Sequence, residues 1–174
     1  LAHAREAVDW TLQRHDPFPA MALDKHWTII KANKAATLLL IAVGLNLGDS
    51  LLEAMQSSER LKAAISNWQD VLRHMISRLR TESARLGHDQ VLETAASNLA
   101  LQISDTHKTE ITSGSIVLET RYVLNGLELS FFSMLSQFTS AEDIALADLR
   151  IELMYPANEA TRQLLHKLQK KSDG

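Results

Sequence analysis

The chain has 174 residues, enough for one domain with a real core. Hydrophobic residues at 45% and charged residues at 22% are the ordinary balance of a soluble globular protein. A formal charge of -3 argues against a nucleic-acid-binding face, and the absence of cysteine excludes disulfides, thiol nucleophiles and Cys-ligated metals.

Residues 2 to 15 read as a short amphipathic helix with Ala4, Val8 and Leu12 on one stripe. Asp16-Pro17-Phe18-Pro19 breaks it, because proline removes a donor and restricts its predecessor. Ala20 to Leu23 and Trp27 to Lys31 read as two short strands around a turn at Asp24-Lys25-His26. Asn33 is the expected N-cap of a helix over 34 to 43, which Gly44 stops, and Ser50 to Gln56 adds a turn or two of helix. Over residues 58 to 86 the spacing of Leu61, Ile65, Trp68, Leu72, Met75 and Leu79 predicts one long helix. Gly87 ends it. Asp89 then caps a helix to about Ile103, and residues 104 to 114 form a polar loop.

The strongest local signal is Asn125-Gly126 between two strand-like runs, since a type I′ hairpin turn needs positive φ at both central residues. That turn sets Leu124 opposite Leu127, Tyr122 opposite Leu129, Thr120 opposite Phe131, Leu118 opposite Ser133 and Ile116 opposite Leu135. This face is dry. The other, with Val117, Glu119, Arg121, Val123, Glu128, Ser130, Phe132 and Met134, is mixed. Residues 139 to 147 connect to a fifth strand over Asp148 to Met154, with Leu149, Ile151 and Leu153 on its dry side. Pro156 breaks that strand, and Asn158 caps a last helix over 159 to 171.

Two strands, an all-helical middle and three further strands indicate an α+β domain with a five-stranded antiparallel sheet. Helices cover one face, and further helices flank it at the N- and C-terminal ends. This is the element order of a PAS-type sensor. With no repeat, linker or low-complexity tract, residues 1 to 174 are expected to be one domain. No apolar run reaches the ~20 residues of a membrane span, and no signal peptide is visible, so the cytoplasm is the default location. The start at Leu1 leads to the expectation of a piece of a longer chain.

Three stretches resemble the ligand-binding domain of MmyB-like transcription regulators of the XRE helix-turn-helix class. They are Pro17 to Asn33; Ser66-Asn67-Trp68 with Val71-Leu72 and Arg78-Leu79; and Leu129 to Phe138 with Leu149 to Glu152 and Met154 to Thr161. The likeness covers most of residues 10 to 168. It implies a PAS-like sensor of a bacterial transcription regulator, a pocket for a fatty-acid-like molecule, and a DNA-binding helix-turn-helix upstream. No helix-turn-helix lies in this segment, so DNA is a partner only through that upstream domain.

The pocket is expected between the helices and the dry sheet face, lined by Trp27, Leu39, Trp68, Leu72, Met75, Phe131, Ser133 and Leu153. Thr120 and Ser133, the small polar residues of the dry face, are candidates to orient a headgroup, and Asn67 to reach the pocket edge. The same residues serve equally as plain core, and buried hydroxyls more often bond to backbone. Asn67 is better read as pinning a neighbouring loop. Glu119, Arg121, Arg150 and Glu152 are expected as exposed pairs on the mixed face, worth ~0 to 1 kcal/mol each. Seven scattered histidines lack zinc-site spacing, and no Gly-x-Ser-x-Gly or glycine-rich phosphate loop occurs. The reading is therefore a non-enzymatic ligand sensor with no metal and no cofactor. A homodimer is one way to cover the apolar part of the mixed face. The alternatives are a dimerisation or protein-interaction module with a filled core, or a PAS sensor carrying haem or flavin.

Overall fold

In a computed structural model, which describes residues 2–104, 117–138 and 147–172, Asn125 and Gly126 take φ of 50° and 78°. These are the two positive values a type I′ turn requires. The turn joins β3 (Thr120–Leu124) to β4 (Leu127–Gln137), pairing Leu124 with Leu127, Tyr122 with Leu129 and Thr120 with Phe131 as the sequence predicts. β3 begins at Thr120, so the expected Leu118–Ser133 pair is not part of the ladder. Ile116, most of the 104 to 114 loop, most of the 139 to 147 connection and the side chain of Ala4 lie outside the described residues.

With β1 (Ala20–Leu23), β2 (Ile29–Ala32) and β5 (Arg150–Pro156), these strands form one antiparallel sheet in the order β2-β1-β5-β4-β3. The chain is thus α+β, with the five-stranded antiparallel sheet its element order predicts. β5 ends at Pro156, opposite Phe131, which leaves Ser130 on β4 without a strand partner on that side. The final helix, α7 (Glu159–Ser172), begins there. Ser130 N–H donates to Thr161 Oγ1 at 3.0 Å, and Ala157 N–H donates to the Ser130 carbonyl at 2.8 Å. The backbone groups that β5 abandons are thereby satisfied.

Helices occupy both faces of the sheet. On one lie α2 (Lys34–Ala42), α3 (Leu51–Ser57), α4 (Glu59–Ala64), α5 (Trp68–Arg85) and α6 (Gln90–Ala100). Leu39, Leu72, Leu79, Leu92 and Leu99 pack there with Met21, Leu23, Phe131 and Met154 of the strands. On the other face α1 (Ala2–Arg14) sets Val8 and Leu12 against Ala20, Ala22 and Ile151. The two alanines let the helix approach the sheet. Asn33 joins these layers. Its Oδ1 accepts from Ala36 N at 3.0 Å, the expected cap, and from Ala20 N at 3.0 Å. Its Nδ2 donates to the Leu12 and Phe18 carbonyls at 3.1 and 2.8 Å.

The structure corrects three expectations. The long helix over 58 to 86 is two helices, broken at Ile65 to Asn67. There Ile65 bridges Tyr122, Ser66 N–H donates to the Arg121 carbonyl at 2.9 Å, and edge strand β3 gains partners that a continuous helix would deny it. Trp27 does not open β2. It sits at φ 63° in the turn, where its N–H donates to the Asp24 carbonyl at 3.0 Å and Asp24 Oδ1 accepts from His26 N and Thr28 N. Finally, Arg150 and Glu152 do not lie on an exposed face with Glu119 and Arg121. β5 is covered on both sides. Its Ile151 and Leu153, with Leu149 just before it, meet the α1 layer, while its charged residues point under α5.

Candidate functional site

α5 carries Val71, Leu72, Ile76 and Leu79 inward at helical spacing. The same stripe continues to Glu82, a residue only 4% exposed. Three donors hold it: Trp27 Nε1 at 2.8 Å, Arg78 Nε at 2.9 Å and Arg150 Nη1 at 2.6 Å. Arg78 also lies 3.6 Å from Glu152 and places its guanidinium 4.3 Å from the Trp27 ring centroid, a cation–π contact. Two cations and two anions thus balance under α5. The left-handed backbone of Trp27 is uncommon for a bulky residue, and it delivers the indole to this cluster. One donor is left over: Arg78 Nη2 is buried with no hydrogen-bond partner among the described residues.

Arg78 and Glu152 form the polar end of an inner cavity of about 90 Å³ between α2, α3, α4, α5 and the sheet. Its remaining wall is mostly apolar, with Met21, Leu40, Val43, Met55 and Met154 among its members. Tyr122 also lines it. Burial, then the Glu152 carboxylate, push the Tyr122 phenol above its ordinary value, so it stays a protonated donor at neutral pH. A second, larger space of about 240 Å³ opens on the outside, between α2, the β3–β4 turn and α7. Leu38, Leu124, Leu127, Leu129, Leu164 and Leu168 make it strongly apolar, with Asp16, Lys34, Asn125 and Gln169 at its margins.

Of the expected pocket residues, Trp27, Leu39, Trp68, Met75, Thr120 and Ser133 line the inner cavity. Phe131 lines the outer groove instead, and Leu39 lines both. Leu72 is fully buried in packed core and touches neither space. Leu153 packs against the α1 layer on the opposite face. Asn67 pins the edge strand: its Nδ2 donates to the Glu119 carbonyl at 2.6 Å and its Oδ1 accepts from Arg121 N at 3.0 Å. The quartet of Arg78, Glu82, Arg150 and Glu152 escaped the sequence reading as a site. Its signal was present, since Glu82 falls three residues after Leu79, where the apolar stripe would place its next buried position.

Comparison with known proteins bears on this arrangement. A family model, MmyB-like transcription regulator ligand binding domain, matches residues 4–168. Among solved structures, the PAS domain of an HTR-like protein from Haloarcula marismortui is 14% identical at a TM-score of 0.36, covering 90% of this chain and 99% of that one. The PAS domain of BvgS from Bordetella pertussis is 14% identical at a TM-score of 0.40, covering 97% and 96%. No curated protein sequence matches the chain. No helix among the described residues is long and apolar enough to cross a membrane.

Proposed function

Because the chain belongs to the MmyB-like transcription regulator ligand-binding domain family, a non-enzymatic family, we propose that it senses a small apolar or fatty-acid-like molecule held between the helices and the sheet. The observation that carries this reading is the inner cavity. It is apolar along most of its wall and ends on Arg78 and Glu152, two members of a charge-balanced cluster, the lining a pocket for an amphipathic ligand needs. The domain works in the cytoplasm, as the sensing part of a longer regulator with a helix-turn-helix upstream. Occupancy repacks α5 against β5, because Arg78 and Glu82 of the helix hold Glu152 and Arg150 of the strand. The change passes to α1, which lies on the other face of β1 and β5, or to a contact between two copies. A ligand shifts that balance only by binding one arrangement more tightly.

The small inner volume favours a second reading, a dimerisation module with a filled core, since drug-sized ligand sites run to ~300 Å³ or more. Native mass spectrometry of the purified protein, followed by denaturing lipid extraction, separates the two. A co-purified species of fatty-acid mass is the expected result. A ligand-free dimer that takes up no added decanoate or methyl decanoate would establish the interaction module instead.

A further inference from the structure

α1 turns Val8 and Leu12 inward onto Ala20, Ala22 and Ile151, and at its side Asp9 reaches Lys31 of β2. Trp10 lies two residues beyond Val8, about 200° around the helix, and so points away from the sheet. It is 59% exposed and belongs to neither packed core among the described residues. The other two tryptophans, Trp27 and Trp68, pack in or against the inner core. Water disfavours an open indole ring. Arg14, one turn on, lays its guanidinium 4.4 Å from the centroid of this ring and so limits where the ring can swing. Glu6, one turn back, is exposed, as is Arg14. Glu6, Trp10 and Arg14 thus form one row at four-residue spacing: negative, aromatic, positive.

We propose that this row is the contact between two copies of the chain, whose α1 helices cross antiparallel at Trp10. The row is symmetric about that residue, so a two-fold axis there sets Glu6 of each copy against the partner's Arg14. The two indoles then meet beside the axis. Rows of residues four apart align when two helices cross at about 50°, the commonest helix packing in globular proteins. The antiparallel sense also brings each helix's positive end toward the other's negative end. A parallel crossing fails the same test, because it sets like charges opposite one another. A foreign partner needs a matching row of its own, whereas a second copy already carries one.

The contact is small. α1 has 13 residues, about 20 Å of helix, and two such helices crossing steeply touch over two or three turns. That falls below the ~1,200 Å² of a standard stable interface, so the dimer exchanges reversibly with monomer. Tryptophan and arginine are the side chains that carry most binding energy in such contacts. The place of the contact matters for sensing. α1 rests on β1 and β5, so a change in β5 on ligand uptake reaches it through the Val8 and Leu12 seam. That last link rests on the ligand-sensing reading above; the contact itself does not.

The test is analytical ultracentrifugation of the purified 174-residue chain from about 5 to about 500 µM, the range of weak protein contacts. A reversible monomer–dimer equilibrium with its midpoint inside that range is expected. Trp10→Ala is expected to weaken it about thirtyfold or more, the step of an interface anchor. Glu6→Arg and Arg14→Glu each turn two attractions into two repulsions, and each is expected to weaken the dimer about tenfold. The double variant Glu6→Arg/Arg14→Glu restores both pairs in reverse and is expected to return to within about threefold of the parent. That rescue separates the row from any contact that merely includes α1. All three side chains are exposed, so the fold is expected to be kept, with circular dichroism as the check. A chain that stays monomeric throughout overturns the proposal and leaves this face to a different partner. A dimer indifferent to Trp10→Ala lies elsewhere on the molecule and overturns it too. Single reversals without effect, or a double variant no better than the singles, overturn the antiparallel pairing. Uptake of decanoate by the same samples decides the ligand-sensing reading separately: a chain that dimerises as described and binds nothing removes that reading alone.

Discussion

The two faces of the sheet are built from different materials. Under α1 the contact is Val8 and Leu12 on Ala20, Ala22 and Ile151, an apolar seam with the Lys31–Asp9 ion pair at its partly exposed edge. Under α5 the strands offer Arg150 and Glu152, and the helix answers with Glu82 and Arg78. Apolar residues of the same volume would often serve stability as well or better than such a buried quartet. The seam therefore holds the fold together, while the quartet fixes one arrangement of α5 on β5 and gives the cavity its polar end. The difference teaches that the informative face of this sheet is the costly one.

The largest expected effect comes from breaking the quartet. Glu82→Gln leaves Arg150 buried without its anion and is expected to destabilise the domain by about 3 to 5 kcal/mol in urea unfolding. A loss below about 1 kcal/mol would mean that water reaches Arg150. Breaking the seam acts differently. Leu12→Ala is expected to cost about 2 to 4 kcal/mol through transfer and cavity terms, while changing ligand affinity in the folded variant by no more than the relay to α1 carries, a few-fold at most. A loss of affinity as large as the loss of stability would contradict the separation of roles. Asn67→Ala removes both bonds to β3 and is expected to cost about 1 to 2 kcal/mol, with faster hydrogen exchange at the Arg121 amide as its local sign.

An acid titration sharpens the same contrast. Burial tends to raise the Asp89 carboxyl, but the His26 hydrogen bond and the Leu92 and Val91 N–H groups outweigh it and hold the group below its ordinary value. A carboxyl depressed in the folded state stabilises fully above its unfolded value of about 3.9, and that contribution is lost as pH falls through the lower folded value. The α6 cap is thus expected to survive from pH 6 to about 4 and to fail only below that. Asp89→Asn, measured by melting temperature against pH, should remove that part of the acid limb. The smallest effect is expected at Glu119→Ala. Its pair with Arg121 is exposed and spans 3.5 Å, so about 0 to 1 kcal/mol is predicted.

Glu119 and Arg150 also mark where the sequence stops being legible. The hairpin, its register near the turn, the five strands, and the caps at Asn33, Asp89 and Asn158 were all readable, because each depends on residues close together in the chain. The break at Ile65 to Asn67 was not, since it answers to an edge strand more than fifty residues away. β5 reads as a half-buried strand with a wet side. Only the arrival of α5 with its own opposite charges turns that side inward. Likewise Trp27 reads as a strand residue until Glu82 and Arg78 are seen to need its ring in the turn. For the site, helix periodicity found the apolar wall but could not distinguish Leu72 in solid core from Met75 at a cavity.

The most direct measurement uses the three tryptophans, which divide between the two regions. Trp27 and Trp68 line the inner cavity, and Trp10 lies exposed on α1 under the Arg14 guanidinium. In a ¹⁵N-labelled sample titrated with methyl decanoate, the indole N–H signals of Trp27 and Trp68 are expected to move with saturation and further than that of Trp10, which only a change relayed to α1 reaches. Three stationary indoles, or movement of Trp10 alone, would contradict a ligand site between α5 and the sheet.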